Sequence, residues 1–322
     1  MPDDLSLAEQ QVEALLAKNQ KEDALQLLFD LIVKQARAGD FKRAEALRGR
    51  LMEVDEMALN LIIKSAEIIE AEMSSAIDPE HLKRWDGLYG KLTVEETNAL
   101  FHSLEVMNFP PESVICQQGK PQTHLYFLEA GTVELSFHTA EQEKSLACIE
   151  AGNLFGYDTF FAMSVNTLTA SAKEETVLKG LSRTTLKELT GPFPGLASKL
   201  QDFCLRLKQP VTWLRAEGLD RRMFERVKEP GKLQIQLVNK TGESIGNAIR
   251  ADLIDCSEGG VAFYVKLPKQ ETAEKLLHRR LRILSEKPIA PMDEELDRIG
   301  TIRAVIFDLD NDYSIHTRFE NS

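Results

Sequence analysis

Phe109-Pro-Pro-Glu-Ser-Val-Ile-Cys-Gln-Gln-Gly119, then Leu125-Tyr-Phe-Leu-Glu-Ala-Gly-Thr-Val133, then Ala151-Gly-Asn-Leu-Phe-Gly156 is the stretch on which the fold turns. Short apolar runs alternate with Gly and Pro, the pattern of brief strands joined by tight turns. Further runs at Leu146–Ile149 and Thr176–Leu178 keep the spacing, so a small antiparallel barrel or jelly roll is expected here. Helical residues return at about 184–189 and from 196 to 207.

Upstream, residues 1 to about 80 read as helices. Val12, Leu15, Leu16, Leu25, Leu28, Leu31 and Ile32 recur at helical spacing until Ala38-Gly-Asp40 interrupts them. A second helix follows through Phe41, Ala44, Leu47 and Leu51, and a third through Ala58, Leu59, Ile62, Ile63, Ala66 and Ile69. No proline falls between Pro2 and Pro79 to stop them. The piece from Ala38 to Leu47 resembles the turn and second helix of a tetratricopeptide repeat, without a repeating period. Thr93-Val-Glu-Glu96 is a capping box opening a helix through Leu100 and Leu104.

Downstream, Pro210 to Gly218 reads as a connector. Strand runs follow at 233–238, 246–254, 261–265, 280–284, 300–307 and 313–319, and they imply a closed antiparallel barrel. The acidic stretch Pro291 to Asp297 reads as a loop or short helix. The fold class is multidomain α+β: a helical segment 1–84, a jelly roll 85–208, a connector 209–218 and a six-stranded antiparallel barrel 219–322.

Composition narrows the function. The 322 residues are 43% apolar and 28% charged, which is ordinary for a globular protein that buries its own cores. No apolar stretch reaches the ~20 residues of a membrane span and no signal peptide opens the chain, so a cytoplasmic protein without membrane insertion is expected. The net charge of −12 argues against general nucleic-acid binding. Cys116, Cys148, Cys204 and Cys256 lack CxxC spacing and the six histidines lack HxxxH or HxH spacing, so neither a disulfide framework nor a metal site is expected.

The middle segment, roughly 85–208, is similar to the cyclic-nucleotide-binding domain of the cyclic AMP receptor type. The resemblance implies a phosphate-binding cassette after Phe155-Gly156, where backbone N–H groups at a helix start cradle the cyclic phosphate. It also implies a glutamate on the ribose and an arginine on the phosphate. Here Tyr157 stands at the glutamate's place, followed by Asp158, and Asn166, followed by Thr167, stands at the arginine's. No arginine lies between Phe155 and Lys173. The expectation is a degenerate roll kept for dimerisation or sensing. The alternative is a second receptor site for a mononucleotide such as cyclic AMP, lined by Phe155, Gly156, Tyr157, Asp158, Asn166 and Thr167.

The last segment carries Arg221-Arg-Met-Phe-Glu-Arg226 and then Asp255-Cys-Ser-Glu-Gly-Gly260. Together these resemble the RxxxR and (D/N)xSxxG motifs of the PilZ domain, with a strand following the Gly-Gly pair and a closing strand ending at Phe319-Glu320. The resemblance implies a six-stranded barrel that binds cyclic di-GMP. Arginine forks match guanine O6 and N7 and also phosphate, and their flat faces stack on bases. Arg221, Arg222 and Arg226 would clamp the ligand, Asp255 would accept from guanine N1–H and N2–H, and Ser257 would donate. Gly259 and Gly260 would let the backbone turn close to the ligand. Asp255 to Gly260 also reads as an Asx-type turn between strands.

No GxSxG elbow or GxxxxGK[ST] loop is present, nor are signatures such as GGDEF or HD-GYP, so an enzyme is not expected. Trp85 and Trp213 read as packing residues, and Trp213 lies near enough to the arginines in sequence to report binding. The expected mechanism is ordering of the arginine segment by ligand, which reorients the barrel and signals to a protein partner. No helix-turn-helix follows the roll, so DNA is not an expected partner. A homodimer would use a long helix running from about Leu196 into the connector. A nucleotide-independent interaction scaffold is the remaining alternative.

Overall fold

The N-terminal apolar pattern folds into helices α1 (Asp4–Ala17), α2 (Lys21–Arg37), α3 (Phe41–Val54) and α4 (Leu59–Ser75). These belong to a computed structural model that describes residues 4–121, 123–139, 142–207, 210–216, 225–267, 272–273, 275–307 and 312–320. The single helix expected from Val12 to Ile32 is two. Asn19 adopts φ 62°, in the left-handed region where asparagine is tolerated, and the chain turns there without Gly or Pro. The break before α3 lies where Ala38-Gly-Asp40 placed it, with Asp40 accepting the Arg43 N–H at 3.1 Å as its cap.

Val12, Leu25, Leu28, Leu31, Ile32, Leu47, Leu51 and Ile69 form the core of this bundle. Leu59 and Ile63, expected on the inner face of α4, are 57% and 55% exposed, so the stripe facing the core is narrower than the apolar pattern. Short helices α5 (Pro79–Arg84) and α6 (Asp86–Tyr89) follow, then α7 (Val94–His102) with the expected capping box: Thr93 Oγ1 accepts from Glu96 N and Glu96 accepts from Thr93 N. The chain divides into two units, 1–104 with 189–199 and 105–188 with 200–322.

The second unit starts with a roll. Its strands are β1 (Glu105–Phe109), β2 (Val114–Cys116), β3 (His124–Ala130), β4 (Thr132–His138), β5 (Glu143–Glu150), β6 (Leu154–Phe155), β7 (Met163–Ser164), β8 (Thr169–Ala172) and β9 (Thr176–Ser182). One short helix, α8 (Tyr157–Phe160), interrupts them. The sheets run β1-β9-β3-β6 and β2-β8-β4-β5, and their inner faces meet through Tyr126, Leu128, Val133, Leu135, Phe155, Leu168 and Leu178. Helices α9 (Arg183–Thr190) and α10 (Leu196–Leu205) follow. The long helix expected from Leu196 into the connector stops at Leu205, and Arg206 and Leu207 close it with turn hydrogen bonds. The expected connector contains a helix of its own, α11 (Pro210–Ala216). Leu214 of α11 is wholly buried and packs into the roll core, with Trp213 beside it.

A six-stranded closed barrel completes the chain: β10 (Lys232–Val238), β11 (Ser244–Ser257), β12 (Gly260–Lys266), β13 (Arg280–Ile289), β14 (Glu294–Phe307) and β15 (Asp312–Phe319). The order is β13-β10-β11-β12-β15-β14, and β13 pairs with β14 to remove both edges. Alternate side chains such as Leu233, Ile235, Leu253, Val261, Phe263, Ile302, Tyr313 and Ile315 fill the interior. The acidic stretch expected as loop or helix is a turn that passes into strand at Glu294. Asp297 pairs with Arg282 across β13 and β14 at 2.7 Å, a cross-strand ion pair that suits an outward-facing position. Strand β7 of the roll pairs with β14, Ser164 opposite Ala304.

Candidate functional site

The barrel site is built on the end of β11. A register shift between Leu253 and Asp255 turns Cys256 into the core, wholly buried, with burial pushing its thiol pKa up to about 11. Asp255 and Ser257 flank it. Val227 and Cys256 exchange backbone hydrogen bonds of 2.8 and 3.0 Å, so the segment around Arg226 lies against β11 like a short added strand. That pairing sets Arg226 opposite Asp255. Arg226 Nη1 donates to both carboxylate oxygens, at 3.1 and 3.2 Å. The Asp255 side chain is only 13% exposed, so the pair is partly desolvated and its partners depend on each other.

Asp255 therefore holds an arginine rather than capping a local turn, which corrects the expectation of an Asx turn. The turn is closed by Ser257, whose Oγ donates to Gly260 O at 3.1 Å. Gly259 O accepts from Phe319 N at 2.9 Å, which ties the turn to β15. At Gly260 a Cβ atom would lie 2.1 Å from Thr317 O, so only glycine allows β12 and β15 to approach this closely. The structure thus brings Arg226, Asp255, Ser257, Gly259 and Gly260 to one end of the barrel. Arg221 and Arg222 lie outside the described residues.

The roll site differs in kind. Gly156 has φ 82° and starts α8, and Tyr157 behind it is buried, its hydroxyl pKa raised by burial. Asn166 Nδ2 donates to Gln117 O at 3.2 Å, and its backbone is held by Lys120 O and Gly119 N. The Thr159 and Thr167 hydroxyls are buried without a hydrogen-bond partner among the described residues. The cavity between cassette and roll measures about 20 Å3, room for one water, and is lined by Leu135, Phe155, Tyr157, Asn166, Thr167 and Trp213. Ligand pockets run to roughly 300–1,000 Å3. Pro210 and Trp213 of α11 stand in the wall of this cavity and narrow it.

Sequence reasoning missed α11. Its signal was present: Pro210 sits at the first helical position, where its missing N–H costs nothing, and Trp213-Leu214 supplies the apolar face. It also missed Arg183, whose guanidinium donates to Phe160 O at 2.7 Å, to Thr159 O at 2.8 Å and to Ala162 O, tying the cassette to the start of α9. Cys116 lines the same cavity, and burial pushes its thiol up to about 12, which keeps it protonated. Among the described residues no group of three His, Cys, Asp or Glu side chains could hold a metal ion, and no helix is long and apolar enough to cross a membrane.

Comparison with known proteins gives one family. The model described as "Cyclic nucleotide-binding domain" matches residues 106–191. Among solved structures, the catabolite activator protein of Thermus thermophilus is 28% identical with a TM-score of 0.34, over 37% of this chain and 56% of its own. This chain therefore spans little more than half of that protein. The N-terminal domain of a transcriptional regulator from Streptomyces coelicolor A3(2) is 22% identical with a TM-score of 0.35, over 42% of this chain and 96% of its own. A cyclic nucleotide-binding domain from Methylobacillus flagellatus KT is 20% identical with a TM-score of 0.34, over 46% and 75%. No curated protein matches the chain.

Proposed function

We propose that this chain is a non-enzymatic second-messenger receptor that binds cyclic di-GMP at the C-terminal barrel. The observation that carries the reading is the contact between the two motifs. Arg226, the last residue of RxxxR, lies on Asp255, the first of (D/N)xSxxG, and a backbone bridge holds them in register. In the free protein this ion pair keeps a carboxylate and a guanidinium desolvated and aligned. A guanine edge offers N1–H and N2–H to the first, and O6, N7 and phosphate offer acceptors to the second. Ligand would enter by exchanging one partly buried ion pair for several charge-assisted hydrogen bonds, with Arg221 and Arg222 adding charge. Ser257, Gly259 and Gly260 hold the turn beneath it. Binding would redirect the segment before Arg226 and so signal to a protein partner.

The alternative of a second, mononucleotide site in the roll meets the narrow cavity and the absent arginine, and the Trp213 contact speaks for a roll that holds α11 instead. Equilibrium dialysis of labelled cyclic di-GMP tests the proposal. Wild type should retain the ligand, and Asp255→Ala and Arg226→Ala should each retain far less. Equal retention by all of them would discard this site, and no retention by folded wild type would discard the ligand.

A further inference from the structure

A second and larger cavity opens on the roll. Its volume is about 300 Å3, the lower end of the range for small-molecule sites. Cys116 and Asn166 line both this cleft and the cassette cavity. The rest of its described wall includes Val114, Ile115 and Pro121 on the apolar side, and Gln117, Lys120 and Tyr126 on the polar side. The loop that carries Lys120 is pinned to the cassette. Gly119 adopts φ 78°, its N–H donates to Asn166 O at 2.9 Å, Asn166 N donates to Lys120 O at 2.8 Å, and Pro121 bridges Val165. Tyr126 of β3 is fixed as well: it packs in the roll core and stacks on Phe155, with ring centroids 4.9 Å apart. Tyr126 is only 6% exposed, yet among the described residues its hydroxyl has no hydrogen-bond partner. Burial raises its pKa, so the hydroxyl stays protonated and can donate. Asn166, also 6% exposed, uses one amide N–H on Gln117 O and has a second.

A buried hydroxyl without a partner is unfavourable until a water or a ligand supplies one. Here the residue that carries it lines a cleft with room for a ligand. Lys120 is the one charged residue among the described wall residues, so the cleft favours an anion, and one ammonium balances one negative charge. We propose that this cleft binds a small carboxylic acid with an apolar body. The carboxylate would accept from the Tyr126 hydroxyl, the Lys120 ammonium and the Asn166 amide, and the body would lie against Val114, Ile115 and Pro121. A phosphate dianion would bring a second charge with no second cation among the described wall residues. The site is separate from the cassette cavity and from the Arg226–Asp255 pair, and it stands without the cyclic di-GMP reading.

Saturation-transfer NMR of benzoate with the full chain tests it. A saturable signal is expected, with a Kd of ~1 mM for so small a probe. Tyr126→Phe keeps the ring and its packing and removes the hydroxyl alone, and it should raise the Kd ~fivefold. Lys120→Gln should do the same from an exposed loop position, where the fold does not depend on it. Benzamide, the same ring without the charge, should bind ~tenfold more weakly than benzoate. Lys64→Gln removes an exposed positive charge in the helical unit and should leave binding unchanged. No saturable benzoate signal from folded wild type would overturn the proposal, as would equal affinity in folded Tyr126→Phe and Lys120→Gln, or benzamide matching benzoate. Phenyl phosphate binding more tightly than benzoate would overturn it in favour of a phosphate ligand. Displacement of benzoate by cyclic AMP would overturn it in favour of the cassette cavity.

Discussion

Replacing Leu214 by alanine separates a roll that owns α11 from a roll followed by a free connector. The side chain is wholly buried among the roll's core residues. Truncating a buried leucine removes its transfer free energy and leaves a cavity that relaxes only in part, at about 3 kcal/mol. For a unit of this size each kcal/mol moves the melting temperature by about 2–4 °C, so the drop should be about 6–12 °C. A leucine on an exposed linker would cost within about 0.5 kcal/mol. Differential scanning calorimetry of the full chain reads the shift in the transition of the second unit. Trp213 fluorescence in a Trp85→Phe background provides a local reporter, because Trp213 then remains the chain's sole tryptophan and should move to longer wavelength as α11 loosens. A melting temperature within ~2 °C of wild type, with unchanged emission, would refute the packing of α11 and reopen the roll cavity to ligand.

Three further outcomes follow from the geometry. Gly260→Ala sets a methyl against the Thr317 carbonyl and forces β12 from β15; a loss of about 2–3 kcal/mol in urea unfolding is expected, and wild-type stability would contradict it. Burial pushes the Glu96 pKa up, but the hydrogen bonds from Lys199 at 2.6 Å and Thr93 N outweigh it, so the net direction is down. The stability this contributes is present above the unfolded pKa and lost as pH falls through the folded one. Urea midpoints measured across the acid range should therefore fall less steeply for Glu96→Gln than for wild type. Millimolar cyclic AMP should leave the melting temperature unchanged, whereas a ligand at a hundred times its Kd would add about 2.7 kcal/mol, and such an upward shift would show that α11 yields the cavity.

Much of the architecture was legible because the strands carry their own punctuation. Gly131 and Gly152 mark the ends of roll strands, and the barrel strands alternate inner and outer side chains along most of their length. The two motifs were legible too, but the ion pair between them was not: Arg226 and Asp255 were each read as facing ligand, and only the backbone bridge between Val227 and Cys256 shows that they meet. What escaped depended on partners remote in sequence. Asn19 breaks a helix with no breaker residue, because the left-handed conformation of a single asparagine suffices. Glu294 to Asp297 look like solvent-exposed loop until β14 pairs with β13 and Arg282 reaches Asp297 across the two strands. Pro210 was read as the start of a connector when it starts a helix, because only the roll core shows where Leu214 goes.

The central claim rests on the ligand, so the measurement that reaches it most directly is titration calorimetry of cyclic di-GMP into wild type and into Arg222→Ala/Arg226→Ala. The receptor reading predicts saturable binding by wild type, abolished in a double variant that still folds, with the stoichiometry showing whether the ligand enters singly or as an intercalated pair. A folded wild-type protein that takes up no cyclic di-GMP would contradict it, and function would then be sought in a protein partner of the N-terminal helices.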